Sequence, residues 1–141
     1  MRARRAQPGT ALTRSSDMTG RLLLALGSLF RLAAGAGYLA TPEAMARRQL
    51  APDIRGHSDG RMSTRGFGAL HLGIAVGTLR AAVRNEGCRE VAVLNLVCAV
   101  GDTAATLLER RDRGSWERVV LGSVPVDVVD VAWWANALRY V

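Results

Sequence analysis

The chain has 141 residues, enough for one domain with one core. It is 49% hydrophobic and 22% charged, with a formal net charge of +7, and all 19 of its basic residues are Arg. These Arg residues fall between apolar segments instead of forming one basic face, which argues against a nucleic-acid partner and suits anchoring at lipid headgroups.

Mean hydropathy is only +0.10, because charge is concentrated in the tail and connectors. Residues 1–20 (MRARRAQPGTALTRSSDMTG) are polar and Arg-rich and read as a disordered basic tail ahead of a single domain spanning 21–141. Met18, just before the first apolar run, is an alternative start. A cleavable signal over residues 1–40 would fit Ala34-Gly35-Ala36, but Arg31 in the middle of its apolar run argues against it.

The first apolar segment covers residues 22–40, 19 residues, close to the ~20 that a helix needs to cross a bilayer. Thr41-Pro42-Glu43 then reads as a helix start: a capping hydroxyl, Pro at the first position and an acid in the first turn. It opens a short amphipathic helix over 43–50 at the interface, and 51–62 reads as loop. The second span is expected over 66–83, with Ser63 or Thr64 as its cap, and Asn85-Glu86-Gly87 is a turn. Cys88 is expected in that connector. The third span, 91–108, is closed by the charged run 109–114. The fourth covers about 119–138, with Trp116 at its edge and Ser123 near a cap; Pro125 either kinks it or starts its regular part. Trp133, Trp134 and Tyr140 read as an interfacial aromatic belt.

Four apolar segments with short connectors predict an all-α fold, an antiparallel four-helix transmembrane bundle in the cell membrane. A soluble bundle would need a polar face on every helix, and the segments hold too few polar residues for that. Orientation is not decided by Arg, since nine fall on each side. The compact basic tail favours both termini inside.

Six polar side chains lie well inside these spans: Arg31, His71, Asn95, Asp102, Asp127 and Asp130. A charge at mid-bilayer costs ~2.5–3.5 kcal/mol on insertion scales, so such groups turn inward and pair. Helical spacing agrees. Gly27, Arg31, Gly35 and Tyr38 share one face; Asn95, Cys98, Asp102, Thr106 and Glu109 share another; Ser123, Asp127, Asp130 and Trp134 a third. His71 lies with Gly68, Ala75 and Thr78. Arg31 is the natural counter-ion for Asp102, Asp127 or Asp130 but cannot balance all three. Either His71 is charged, or a carboxyl keeps its proton, or water enters. The plainer reading of the cluster is interhelical hydrogen bonding that fixes register. The sharper one is a functional polar pathway. Ala69, Gly73 and Gly77, spaced by four, are expected to permit close helix packing, within the chain rather than between copies.

No catalytic signature is present: no G-x-S-x-G, P-loop or H-E-x-x-H. Asp53, His57 and Asp59 read as solvated loop rather than metal ligands. The two cysteines have no zinc spacing, and ten helical residues between them would span ~15 Å, too far for a disulfide. No cofactor or metal is expected.

The order of features resembles a group of small bacterial, often actinobacterial, four-span membrane proteins of unknown function, DoxX-like in style. The residues that carry the resemblance are Thr41-Pro42-Glu43 after the first apolar run, Arg65-Gly66-Phe67-Gly68-Ala69-Leu70-His71-Leu72-Gly73, and Gly101-Asp102. It covers about residues 21–141 and implies a four-helix membrane fold, with no activity. Three functional expectations follow. The first is a non-enzymatic membrane protein with a structural polar core, whose partners are the lipid bilayer and another membrane protein or a second copy. The second is a proton-linked transporter or permease subunit. The third is a membrane-embedded enzyme using His71 and an Asp as base and acid.

Overall fold

Helix punctuation places every element. In the structure, a computed structural model that describes residues 9–49, 58–113 and 118–141, there are five helices and no strand among the described residues. They are α1 (Gly9–Ala40), α2 (Pro42–Gln49), α3 (Ser58–Arg84), α4 (Cys88–Arg113) and α5 (Arg118–Ala137). α1 packs most extensively on α3, and α4 on α5.

The α1–α2 corner is built by Thr41-Pro42. The Thr41 carbonyl accepts from Ala44 and Met45, starting α2, while its hydroxyl donates back to Gly37 O at 3.0 Å and closes the last turn of α1. The α3–α4 corner is built by Asn85 and Gly87, both at positive φ (54° and 64°). Asn85 ends α3 in the left-handed conformation, and Glu86 N–H reaches back to Ala81 O, the bond of a Schellman cap. Gly87 O accepts from Val91, which starts α4. Arg21, on α1, completes this corner. Its Nε donates to Ala82 O at 2.6 Å and its Nη2 to Val83 O at 3.2 Å, placing a cation on the orphan carbonyls at the C-terminus of α3.

Close approach between α1 and α3 occurs at two glycines. A Cβ on Gly68 would lie 2.7 Å from Tyr38 Cβ and 2.9 Å from Gly35 O, and one on Gly35 would lie 2.9 Å from Gly68 O. Gly27 gives its space to an indole: a Cβ there would meet Trp134 Cη2 at 2.6 Å. At the end of the molecule that holds Arg21, Gly20 lies against Tyr140 and Val141.

Large apolar side chains face outward. Leu22, Leu26, Leu29 and Phe30 on α1, Leu70, Val76 and Val83 on α3, Leu94, Val97 and Val100 on α4, and Val128 and Val129 on α5 are all exposed. The interior holds Leu24 and Trp134, several Ala, and the polar Ser28, Arg31, Thr78 and Asn95. Ser28, Thr64, Thr78 and Thr103 each donate their hydroxyl to the carbonyl four residues earlier, the local bond a hydroxyl makes in a helix when water is scarce. Three helices are long and apolar enough to cross a membrane, over Asp17–Ala40, Gly60–Arg84 and Cys88–Leu108. The residues expected as a fourth span form α5, which runs through Pro125 as one helix and is not one of those three among the described residues.

Several expectations are corrected. Residues 9–20 are helical rather than tail, because α1 extends backward from its anchored apolar part, and adding turns to an existing helix is cheap. Residues 58–62 belong to α3 rather than to a loop. Thr64 is therefore not a cap but bonds Gly60 O inside the helix. Cys88 opens α4 instead of lying in a connector; both cysteines are free. Ala69, Gly73 and Gly77 face outward, and a Cβ on Gly73 or Gly77 would meet nothing within 4 Å, so the intramolecular contact expected of them is made by Gly35 and Gly68. Trp134 is not part of an aromatic belt: it is 0% exposed, seated on Gly27. Leu50, Asp53, His57 and Trp116 lie outside the described residues.

Candidate functional site

One ion pair joins the helices at the centre. Arg31, on α1, is 2% exposed, and its Nη2 lies 3.0 Å from Asp130 Oδ2 on α5. The same nitrogen points at Asn95 O on α4, 3.4 Å away. Its other fork nitrogen, Nη1, is 3.2 Å from His71 Nδ1 on α3. The guanidinium also sits 5.6 Å from the Trp134 ring centroid, within cation–π range. Four helices therefore converge on one side chain.

Each partner is itself held. Asp130 Oδ1 accepts from Trp134 Nε1 at 2.7 Å, so both carboxylate oxygens are engaged. Because Trp134 lies one turn after Asp130, α5 positions acid and indole together. His71 is framed by aromatics: stacked on Tyr38 at 5.8 Å and edge-on to Phe67 at 4.3 Å. A guanidinium has donors only, so His71 Nδ1 accepts from Arg31 and the ring is neutral, with its proton on Nε2. This removes a charged His71 from the three ways of balancing the acids. Asn95, 0% exposed, donates through Nδ2 to Thr78 Oγ1 (2.8 Å) and to Val91 O (2.7 Å), tying α4 to α3.

The other two acids stand apart. Asp127, half-buried, accepts from Thr106 Oγ1 at 2.8 Å across the α4–α5 contact. Asp102, also half-buried, feels the field of Arg31, Asp127 and Asp130. Neither forms an ion pair; among the described residues the pairs are Arg31–Asp130 and the surface pair Arg61–Glu43. The six polar residues thus divide into a clasp (Arg31, Asp130, His71, Asn95) and an acid pair (Asp102, Asp127) at its side. No group of three or more potential metal ligands occurs among the described residues.

Helical spacing marks every clasp residue and puts Tyr38, Thr78 and Trp134 on the same faces, but it does not show that these three and Phe67 are the hydrogen-bond and ring partners of the clasp. Trp134 four residues after Asp130 and Phe67 four before His71 are the signals that find them. No family model, no curated protein and no solved structure matches this chain.

Proposed function

We propose that the chain is a non-enzymatic, multi-pass protein of the cell membrane, in which α1, α3, α4 and α5 form an antiparallel four-span bundle and α2 lies at the interface. One observation carries this reading: the molecule is inside-out for water. Leu, Val and Phe dominate its exposed large hydrophobic side chains, joined by Met18, Met62 and Tyr140, while the centre holds an ion pair and an amide. A soluble helix bundle buries its apolar stripe and keeps charge outside. In lipid the apolar outside is no liability, and the interior groups become interhelical ties. The clasp is then structural, holding four helices in register around Arg31. Gly20 beside Tyr140 and Val141 supports an even number of crossings, and the cluster of Arg2, Arg4 and Arg5 near the N-terminus supports both termini inside. The stretch that resembles DoxX-like four-span proteins, 65–73, supplies both Gly68 and His71, which agrees with a structural part for it.

Cell fractionation tests the proposal. The protein is expected to sediment with membranes, resist extraction by alkaline carbonate and be released by mild detergent. Recovery in the soluble fraction without detergent would overturn it.

A second reading is favoured by the unpaired acids. Among the described residues Asp102 and Asp127 have no cation of their own, and Arg31 is committed to Asp130. Carboxyls of this kind inside a bundle are the usual means of moving protons. If they do so here, purified protein in liposomes should dissipate an imposed pH gradient, and Asp102→Asn with Asp127→Asn should abolish the flux while the protein still folds. Equal flux in the variant and in protein-free liposomes leaves only the structural reading.

A further inference from the structure

The clasp has one donor and one acceptor left over, both deeply buried. Among the described residues Arg31 Nε–H and Asn95 Oδ1 have no hydrogen-bond partner, and their residues are 2% and 0% exposed. Neither can be satisfied by turning the side chain. Val91 O can only accept, so it fixes Nδ2 on its own side of the Asn95 amide and Oδ1 on the other. Thr78 spends its hydroxyl proton on Ile74 O, so it too receives from Nδ2. Arg31 is held through both fork nitrogens, by Asp130 and His71, which fixes the direction of Nε–H. The two residues already touch, through Arg31 Nη2 and the Asn95 backbone carbonyl.

An N–H without an acceptor and a carbonyl without a donor, in adjoining buried residues, call for a small molecule that accepts at one side and donates at the other. Water does this, and folded proteins hold about one buried water per 27 residues at such sites. We propose that internal water is bound at the centre of the bundle, accepting from Arg31 Nε–H and donating to Asn95 Oδ1. Asn95, Asp102 and Thr106 follow one another along α4, with Asp127 bonded to Thr106, so further polar groups lie on the same helix face as the site. The site rests on the geometry of the clasp and does not depend on proton transport by the acids.

Proton-detected NMR of isotope-labelled protein in lipid nanodiscs tests it. Magnetisation is expected to pass from water to the Arg31 Nε–H and to the Asn95 side-chain carbonyl carbon. In Asn95→Leu the transfer to Arg31 Nε–H should be lost. Absence of transfer at either end in the unaltered protein overturns the proposal, and that measurement needs no variant to fold. Undiminished transfer to Arg31 Nε–H in a folded Asn95→Leu protein also overturns it, since the water would then not use Asn95.

Discussion

Replacing Arg31 with Met is expected to destabilise the protein by about 3–5 kcal/mol, the cost of breaking a buried pair by removing one partner. Asp130→Leu should cost a similar amount, because it leaves a guanidinium 2% exposed with no counter-charge. Arg31→Met with Asp130→Leu should be less damaging than the sum of the two. No uncompensated charge remains in that variant, and two apolar side chains of similar volume fill the space. It should not return to full stability, since Trp134 Nε1 and His71 Nδ1 lose their partners, at about 1–3 kcal/mol for a buried group left unsatisfied. Asp127→Asn is the contrasting variant. It keeps an oxygen for Thr106 and removes a charge that no cation balances, so its stability should change little. Reversible unfolding in mixed micelles gives the four values. Strict additivity of Arg31→Met and Asp130→Leu would contradict the clasp, as additivity is the behaviour of sites that do not interact.

That contrast among the three acids was beyond the reach of spacing. Asp102, Asp127 and Asp130 all sit on inward faces, and Arg31 could serve any of them by that criterion alone. The choice is made by Trp134, whose indole fits only because Gly27 has no side chain and which then fixes Asp130 from its far oxygen. A contact between α1 and α5, over a hundred residues apart in the chain, has no local signature. Local chemistry was easier to read. Thr41-Pro42 and Asn85-Glu86-Gly87 fall at the corners because a fixed φ, a capping carbonyl and a left-handed residue have few other uses. The apolar segments were also legible, although α1 and α3 extend well past their apolar parts. The sequence places Trp134 both on the face of Asp127 and Asp130 and in a belt, because an aromatic residue near a segment end suits either, and the structure keeps only the first. Its place one turn after an acid favours the core, where an indole N–H has a partner.

Gly68→Val and Gly73→Val should differ sharply, although both put a β-branched residue for Gly into the same helix. At Gly68 the new Cβ falls 2.7 Å from Tyr38 Cβ and 2.9 Å from the Gly35 carbonyl, which is backbone and cannot swing away. The α1–α3 contact must open, at the ~1–3 kcal/mol typical of overpacking, and more if His71 is drawn away from Arg31. At Gly73 nothing lies within 4 Å, so the change should stay within about 0.5 kcal/mol, as for other outward positions. The reason lies in which face each glycine occupies. Gly68, His71, Ala75 and Thr78 follow one another at helical steps, and the polar members of that set mark it as the inward face. Gly73 and Gly77 share a small-residue spacing with Ala69 but no polar companion. In an apolar chain of this kind, polar residues point to the interior more reliably than glycine spacing does. Unfolding should be measured at two protein-to-detergent ratios. A penalty at Gly73 that grows with protein concentration would mean the outward face contacts a second copy, whereas a penalty equal to that at Gly68 at both ratios would contradict the packing described for α1 and α3.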